Sequence, residues 1–398
     1  MLRLSYLSKR PGIGCAIKQT PDDFIVQEID QYGTVYEIDK EVGQKWKNPE
    51  DYVMAVLQKK NWTTQDAAQA VTALLRVSRQ RASFAGSKDR RAITTQLLSV
   101  LGSTPERMRD LKIKDIRILG AWYWDRPVRL GDLIGNRFII HVPESMDRGS
   151  HVSEIYDELK GLSPNYFGEQ RFGNRWNTHL IGKHILKRQF AEAVMEYLTR
   201  LADEPEEVKD ARMKLAQTHD YKNALKEYPK YLKYERVMLA HLAKTPNDHI
   251  GALRRLPRAL GLMFIHAYQA HLFNTLLSQR IEEKNVFDVE KGEYRCGINW
   301  YGFPDTSRIN GRYPVGRIIG HSIKPNEREQ KLLEEEEIRP SDFMIKQFPE
   351  LSAAGDYRPY LIPIKDFSFK SGKFMFELPA GSYATVVMRE FMDNKPSA

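Results

Sequence analysis

Hydrophobic and polar positions along the chain follow two periods, and the change of period divides it into parts. From Phe24 to Ile29 the alternation puts Phe24, Val26 and Glu28 on one face of an extended strand and Ile25, Gln27 and Ile29 on the other. A Thr20-Pro21-Asp22-Asp23 turn separates it from a shorter strand predicted over Ala16–Lys18. Tyr52–Leu57 is an apolar run of strand length. Thr63 and Thr64 then supply an N-cap, and Ala67, Ala70, Val71, Leu74 and Leu75 recur at helical spacing. Ser83–Ala85 and Ala92–Val100 predict strands on either side of a tight loop, so residues 50–100 read as a compact strand–helix–strand crossover unit. Further strands are predicted over Ile113–Leu119, Trp122–Trp124 and Phe138–Val142.

After Pro164 the texture changes. Asn165–Gly173 packs Tyr166, Phe167, Phe172, Arg171 and two glycines into a short stretch, which suits either a loop around a nucleotide or a junction with buried aromatics. Helical spacing dominates from there, over Asn177–Arg200, a charged segment to about Lys233, and Leu260–Glu283 behind Leu256-Pro257-Arg258. His266 and His271 on the last helix are five apart, do not share a face, and read as ordinary polar residues rather than metal ligands. Short strands with Gly and Pro turns follow over residues 285–325. Gly311–Arg317 lacks the Lys-Ser/Thr ending of a phosphate loop, which excludes nucleoside triphosphate binding there. Glu334–Glu337 reads as a solvated helix face. Beyond Gly355 strands return, over Tyr360–Ile364 and Lys373–Pro379.

Composition narrows the partner. Lys and Arg number 61 against 52 Asp and Glu, a net charge of +9, in a chain with 19 Tyr, 17 Phe and 6 Trp. That balance leans toward a polyanion carrying stackable bases. Cys15 and Cys296 stand far apart, so neither a disulfide framework nor a thiolate zinc site is expected. Residues 1–10 lack the apolar core of a signal peptide, and no stretch approaches a membrane span, which predicts a soluble cytoplasmic protein.

Chemistry concentrates at Phe84–Ser99. Asp89 follows a Gly86-Ser87 turn and is flanked by Lys88, Arg90 and Arg91, a setting that favours an ionised carboxylate. Such a group suits nucleophilic or base work on a phosphate-bearing substrate; taken alone, the string reads first as a solvated hairpin tip. Glu28 shares a face with two apolar residues and is either a strand-end residue reaching solvent or a buried partner for a cation. Phe138, ending the basic, Gly-punctuated stretch Arg126–Phe138, reads as a core residue opening a strand or as a ring on which a base stacks.

Five stretches in order, Pro21–Glu28, Ala85–Gln96, Leu130–Phe138, Asn165–Gly173 and Leu378–Glu390, resemble the motifs of the tRNA pseudouridine synthase D family. The match runs from near residue 14 to near 391, and the helix through Phe264–Gln269 is more like archaeal and eukaryotic members. The resemblance implies an α+β fold: a catalytic domain with a mixed, mostly antiparallel sheet flanked by helices, at 1–164 and 355–398, and an inserted, helix-rich α+β domain at 165–354. It implies conversion of a uridine in tRNA, at position 13, to pseudouridine, with the base flipped from its stack. Asp89 matches the essential aspartate, Lys88 and Glu28 neighbouring active-site positions, and Asn136 and Phe138 residues that contact the uridine, with Phe138 as the stacking ring. Arg90 or Lys88 is expected to grip a substrate phosphate or hold Asp89 ionised, and Glu28 to orient Lys88. Whether Asp89 acts as nucleophile or as base stays open. The isomerisation needs no cofactor or metal, and the partner expected is tRNA, bound by a monomer. Two rivals are weaker. An RNA-binding module without catalysis does not call for an intact Lys88-Asp89 pair, and a metal-dependent nuclease calls for clustered carboxylates.

Overall fold

A computed structural model describes residues 4–43, 48–143 and 149–393. The chain divides into two compact units. One comprises Leu7–Pro164, Ile298–Asp305 and Leu361–Ala398; the other comprises Met1–Tyr6, Asn165–Gly297 and Thr306–Tyr360. Residues 4–6, 298–305 and 355–360 thus fall on the other side of the division from the one the sequence predicts. The N-terminal reading rests partly on residues 1–3, and the predicted last segment ends at 394–398; both lie outside the described residues.

The first unit is built on an eight-stranded sheet. Its strands are β1 (Phe24–Asp30), β2 (Tyr52–Lys60), β3 (Ala82–Phe84), β4 (Ile93–Leu101), β5 (Ile116–Trp124), β6 (Leu133–His141), β7 (Lys365–Lys370) and β8 (Lys373–Pro379). They run in the order β7-β8-β6-β1-β4-β2-β5, with β3 also on β4. Only β1 and β4 pair in parallel, so the sheet is mixed and mostly antiparallel. Three expectations change here. Ala16–Lys18 is not a strand, because Lys18 takes a left-handed backbone (φ 60°) that breaks an extended run. Ile116–Leu119 and Trp122–Trp124 belong to the single strand β5, and residues 113–115 form a turn before it. The 50–100 unit is not a parallel crossover: β2 and β4 pair antiparallel from Tyr52↔Leu101 to Lys60↔Ile93.

Helices cover one face of this sheet. The helix α1 (Thr64–Leu75) starts where Thr63 Oγ1 accepts from Asp66 N at 3.0 Å and ends at Arg76 in the left-handed region. It buries Ala67, Ala68, Val71 and Leu75 against Val53, Ala55, Leu57, Leu98 and Val100. On the other half of the same face, α2 (Gly149–Glu158) and α3 (Ala384–Met392) pack Val152, Ile155, Val387 and Phe391 against Phe24, Val26, Phe138, Ile140 and Phe376. Each such side chain contributes about 1.5–3 kcal/mol by leaving water. Between these two apolar clusters the face turns polar, carrying Glu28, Lys59, Thr94, Gln96 and Asn136.

The second unit centres on the helix Arg258–Glu282, whose buried Phe264, Ile265, Tyr268, Leu272 and Leu276 share a core with Ile181 and Ile185. The predicted helix over 177–200 is two, Thr178–Leu186 and Phe190–Thr199, broken where Arg188 (φ 61°) turns its guanidinium onto the carbonyls of Ile185, Leu186, Asp342 and Met344. Asn165, Tyr166 and Phe167 are buried, with Phe167 N donating to Asn274 Oδ1 at 2.9 Å and Asn165 Nδ2 to Pro359 O at 3.0 Å. Of the Glu334–Glu337 run, Glu336 is not simply solvated: it is half-buried and pairs with Lys183 at 2.6 Å. A four-stranded sheet, ordered 356–359, 313–318, 294–298 and 304–309, completes the unit.

Gly135, next to Asn136 on β6, has no room for a side chain. A Cβ there would lie 2.4 Å from Leu378 O and 2.7 Å from the Phe303 ring. Gly135→Ala should therefore lose about 1–3 kcal/mol of stability by overpacking, read as a lowered midpoint in chemical denaturation.

Candidate active site

The edge of β4 is shared by two strands. β1 covers Ile93–Thr95, β3 covers Leu98–Val100, and Gln96 and Leu97 lie between. There the side chain of Glu28 takes over, its Oε1 accepting from Leu97 N at 3.0 Å. Its other oxygen meets Lys88 Nζ at 2.6 Å, with both side chains at most 4% exposed. Of the two readings of Glu28, the buried partner is the one found, and Lys88 is turned inward. A phosphate grip by Lys88 is thereby corrected: its ammonium is enclosed with Glu28, away from solvent.

The loop Ala85–Ala92 is tied down along its length. Lys88 N donates to Thr64 Oγ1 at 2.9 Å, at the start of α1. Thr64 Oγ1 donates to Gln96 Oε1 at 2.9 Å, and Gln96 Nε2 donates to Gly86 O at 3.2 Å. Lys59 Nζ, from the end of β2, donates to Asp89 O at 2.9 Å and to Trp62 O at 2.7 Å. Asn61 N binds Ala92 O at 3.1 Å, and the Arg91 guanidinium binds Gln19 O. The Asp89 carboxylate keeps 23% of its side-chain surface exposed, against 4% for the Lys88 side chain. Lys18 Nζ sits 3.0 Å from Asp89 Oδ1 and 3.7 Å from the centre of the Phe24 ring. Arg90 lies exposed on the same loop.

Strand register places the remaining residues. Glu28 stands opposite Asn136, and Asn136 opposite Leu378. One row along, Lys59 faces Thr94, Thr94 faces Val26, Val26 faces Phe138, and Phe138 faces Phe376. Glu28, Asn136, Phe138 and Lys59 therefore share one sheet face. Asn136 Oδ1 is buried with no hydrogen-bond partner among the described residues. Phe138 is 5% exposed, its ring centre 6.1 Å from Phe24 and 5.7 Å from Phe376. The opposite face holds a pocket of about 490 Å³ lined by Tyr32, Tyr36, Trp122, Trp124 and Arg126. Its carboxylates are occupied: Asp30 accepts from Tyr32 N, Thr34 N and Tyr36 Oη, and Asp132 holds Arg126 and Arg129 N. No group of three metal-ligating side chains occurs among the described residues.

Lys18, Lys59 and Gln96 carry no site role in the sequence reading, and Thr64 only that of a helix cap. Lys59 left a signal, since it continues the inward series Val53, Ala55, Leu57 and is a charge on an apolar face. Its ammonium is pulled down to about 8 by burial, which outweighs the Asp89 charge that raises it, while nearby Lys88 lowers it further. Because the folded value lies below the ordinary 10.5, folded and unfolded chains both hold the proton below about pH 8, and only the unfolded chain holds it above. Stability from this group should thus rise between about pH 8 and 10.5, and the wild type should gain on Lys59→Met across that window in parallel denaturation curves. Glu28→Gln strands Lys88 as a buried, unpaired cation and should lower stability by about 3–5 kcal/mol, measured by the same curves at neutral pH.

The model of the family tRNA pseudouridine synthase D (TruD) matches residues 3–391. A protein of Archaeoglobus fulgidus named "Probable tRNA pseudouridine synthase D" is 36% identical over 98% of this chain and 98% of its own length. One of the same name from Methanococcoides burtonii is 33% identical over 98% and 96%. The crystal structure of a Methanosarcina mazei protein carrying that family name superposes with a TM-score of 0.75 at 33% identity, over 98% of this chain and 95% of the other. With the fold, the motif-bearing loop and full-length relatives in agreement, the chain belongs to the tRNA pseudouridine synthase D family.

Proposed function

We propose that this chain isomerises a uridine of tRNA, at position 13, to pseudouridine, with Asp89 as the residue that acts on the nucleotide. Pseudouridine synthases are isomerases, and the family to which the chain belongs converts uridine to pseudouridine in tRNA. The N1–C1′ bond breaks, the uracil turns, a C5–C1′ bond forms, the C5 proton leaves, and N1 takes up a proton. Substrate and product hold the same atoms, so the balance calls for no redox partner and no group donor. The observation that carries the reading is the Asp89 carboxylate, part-exposed beside Lys18 on a loop fixed at the Lys88 amide and at the Asp89 carbonyl. Preorganisation of this kind is what positions a group for attack or proton removal. Asp89 serves as nucleophile on the nucleotide or as base toward a sugar proton.

Taking the target base out of its stack costs a few kcal/mol, recovered by stacking and edge hydrogen bonds. Phe138 supplies the ring, and the unpartnered Asn136 Oδ1 supports an acceptor for the uracil N3–H. Lys88 and Glu28 hold the floor of the site, and Arg90, exposed on the loop, is available to a phosphate. The unit containing Leu7–Pro164 is the catalytic domain in this reading, the unit built on 165–297 the inserted one, and the protein works as a cytoplasmic monomer. No helix among the described residues is long and apolar enough to cross a membrane.

With an unmodified tRNA transcript, Asp89→Asn should form no pseudouridine above background while its tRNA affinity stays within about threefold of wild type; near wild-type turnover would remove Asp89 from its role. Phe138→Leu, chosen to keep the core filled, should slow single turnover about 10–100-fold, as expected for the loss of about 1–3 kcal/mol of stacking. Arg254→Ala, on the outer surface, serves as the control. Affinity should fall steeply with salt, given the net charge of +9.

A further inference from the structure

We infer that Lys59 is a positioning residue for Asp89, its buried ammonium clamping the Asp89 peptide from below so that the carboxylate is aimed at the nucleotide. The inference rests on the proposed role of Asp89.

Lys59 is fully buried, a placement lysine almost never takes without an ionic partner. Yet its hydrogen bonds go to two backbone carbonyls, Trp62 O at 2.7 Å and Asp89 O at 2.9 Å. A buried cation held by neutral carbonyls is a poor stabiliser, and an apolar side chain of the same length would fill the site without the loss of hydration. Stability therefore does not account for a lysine here. What the ammonium does hold is specific: one carbonyl closes the turn between β2 and α1, and the other belongs to the residue whose side chain faces substrate.

The neighbouring charges divide the work. Lys18 takes the carboxylate of Asp89, Lys88 takes Glu28, and Lys59 takes the main-chain carbonyl of Asp89. Thr64 Oγ1 fixes the Lys88 amide and Lys59 the Asp89 carbonyl, so the two-residue segment Lys88–Asp89 is held at both of its ends. Asp89 and Lys88 are the charged groups that act on Lys59, in opposite senses, which places its positive charge directly in the field of the carboxylate it supports. A displacement of about 1 Å at such a group is enough to lower a rate about 100-fold.

The test is Lys59→Met assayed by single-turnover pseudouridine formation on a tRNA transcript, with tRNA affinity and the thermal midpoint measured on the same preparations. The expected result is a rate about 10–100-fold lower, affinity within about twofold, and a midpoint at neutral pH equal to or above wild type. Lys59→Gln, polar and shorter, should show the same split and serves if the methionine variant folds poorly. Wild-type rates in both variants, or a loss of rate matched by a fall in affinity and midpoint, would overturn the inference. Inactivity of the wild type, or full activity of Asp89→Asn, would instead bring down the reading of the site.

Discussion

The ion pair between Glu28 and Lys88 is the constraint from which the rest of the site follows. It joins a central strand to the loop that carries Asp89, and it lies where the edge of β4 passes from β1 to β3. The Leu97 amide in that gap would be an unsatisfied buried donor without Glu28 Oε1. One carboxylate thus completes a sheet edge and holds a cation from the loop. With Lys88 drawn inward, the next residue in the chain is left facing outward. That is how a charged string becomes one buried lysine and one accessible aspartate.

The sheet face around this pair is organised by contrast. Two apolar clusters, one under α1 and one under α2 and α3, seal the two halves of the face, and polar side chains occupy the strip between them. A strip of buried lysine, glutamate, threonine and glutamine adds little to stability and demands that each group find a partner. Most do so within the site: Thr64, Gln96 and Gly86 bind in series, and Lys59 binds two carbonyls. Among the described residues of this strip Thr94 Oγ1 and Asn136 Oδ1 find no partner; Asn136 lies on the strand next to Glu28, and an unpartnered acceptor there is complementary to a uracil edge.

Much of this was legible in the residues. The Gly86-Ser87-Lys88-Asp89 loop between apolar runs stood out as a candidate site only beside the other family motifs, and a buried charge was one of two readings of Glu28 on its apolar face. The apolar run Tyr52–Leu57 and the threonine caps before Ala67 located β2 and α1 to within a few residues. What escaped depends on three-dimensional pairing. Nothing local distinguishes an antiparallel β2–β4 pair from a parallel crossover, because alternation fixes faces and not direction. Lys18 reads as part of a strand until its left-handed backbone is seen, and that turn is what brings its ammonium to Asp89. Residues 298–305 lie between strands of the other unit in sequence, yet Phe303 packs beside Gly135 and Tyr301 Oη donates to Glu377 Oε2 at 2.8 Å. A hairpin tip of this kind has no periodicity of its own to reveal where it rests.

The account turns on one face of the sheet being where the nucleotide goes. A crystal structure of the Asp89→Asn protein with an unmodified tRNA transcript measures this directly. The target uridine should be out of its stack, its uracil against Phe138 with an edge at the Asn136 amide, and its ribose beside residue 89. A uridine still stacked in the RNA, or a base lodged on the opposite face between Trp122 and Trp124, would contradict it.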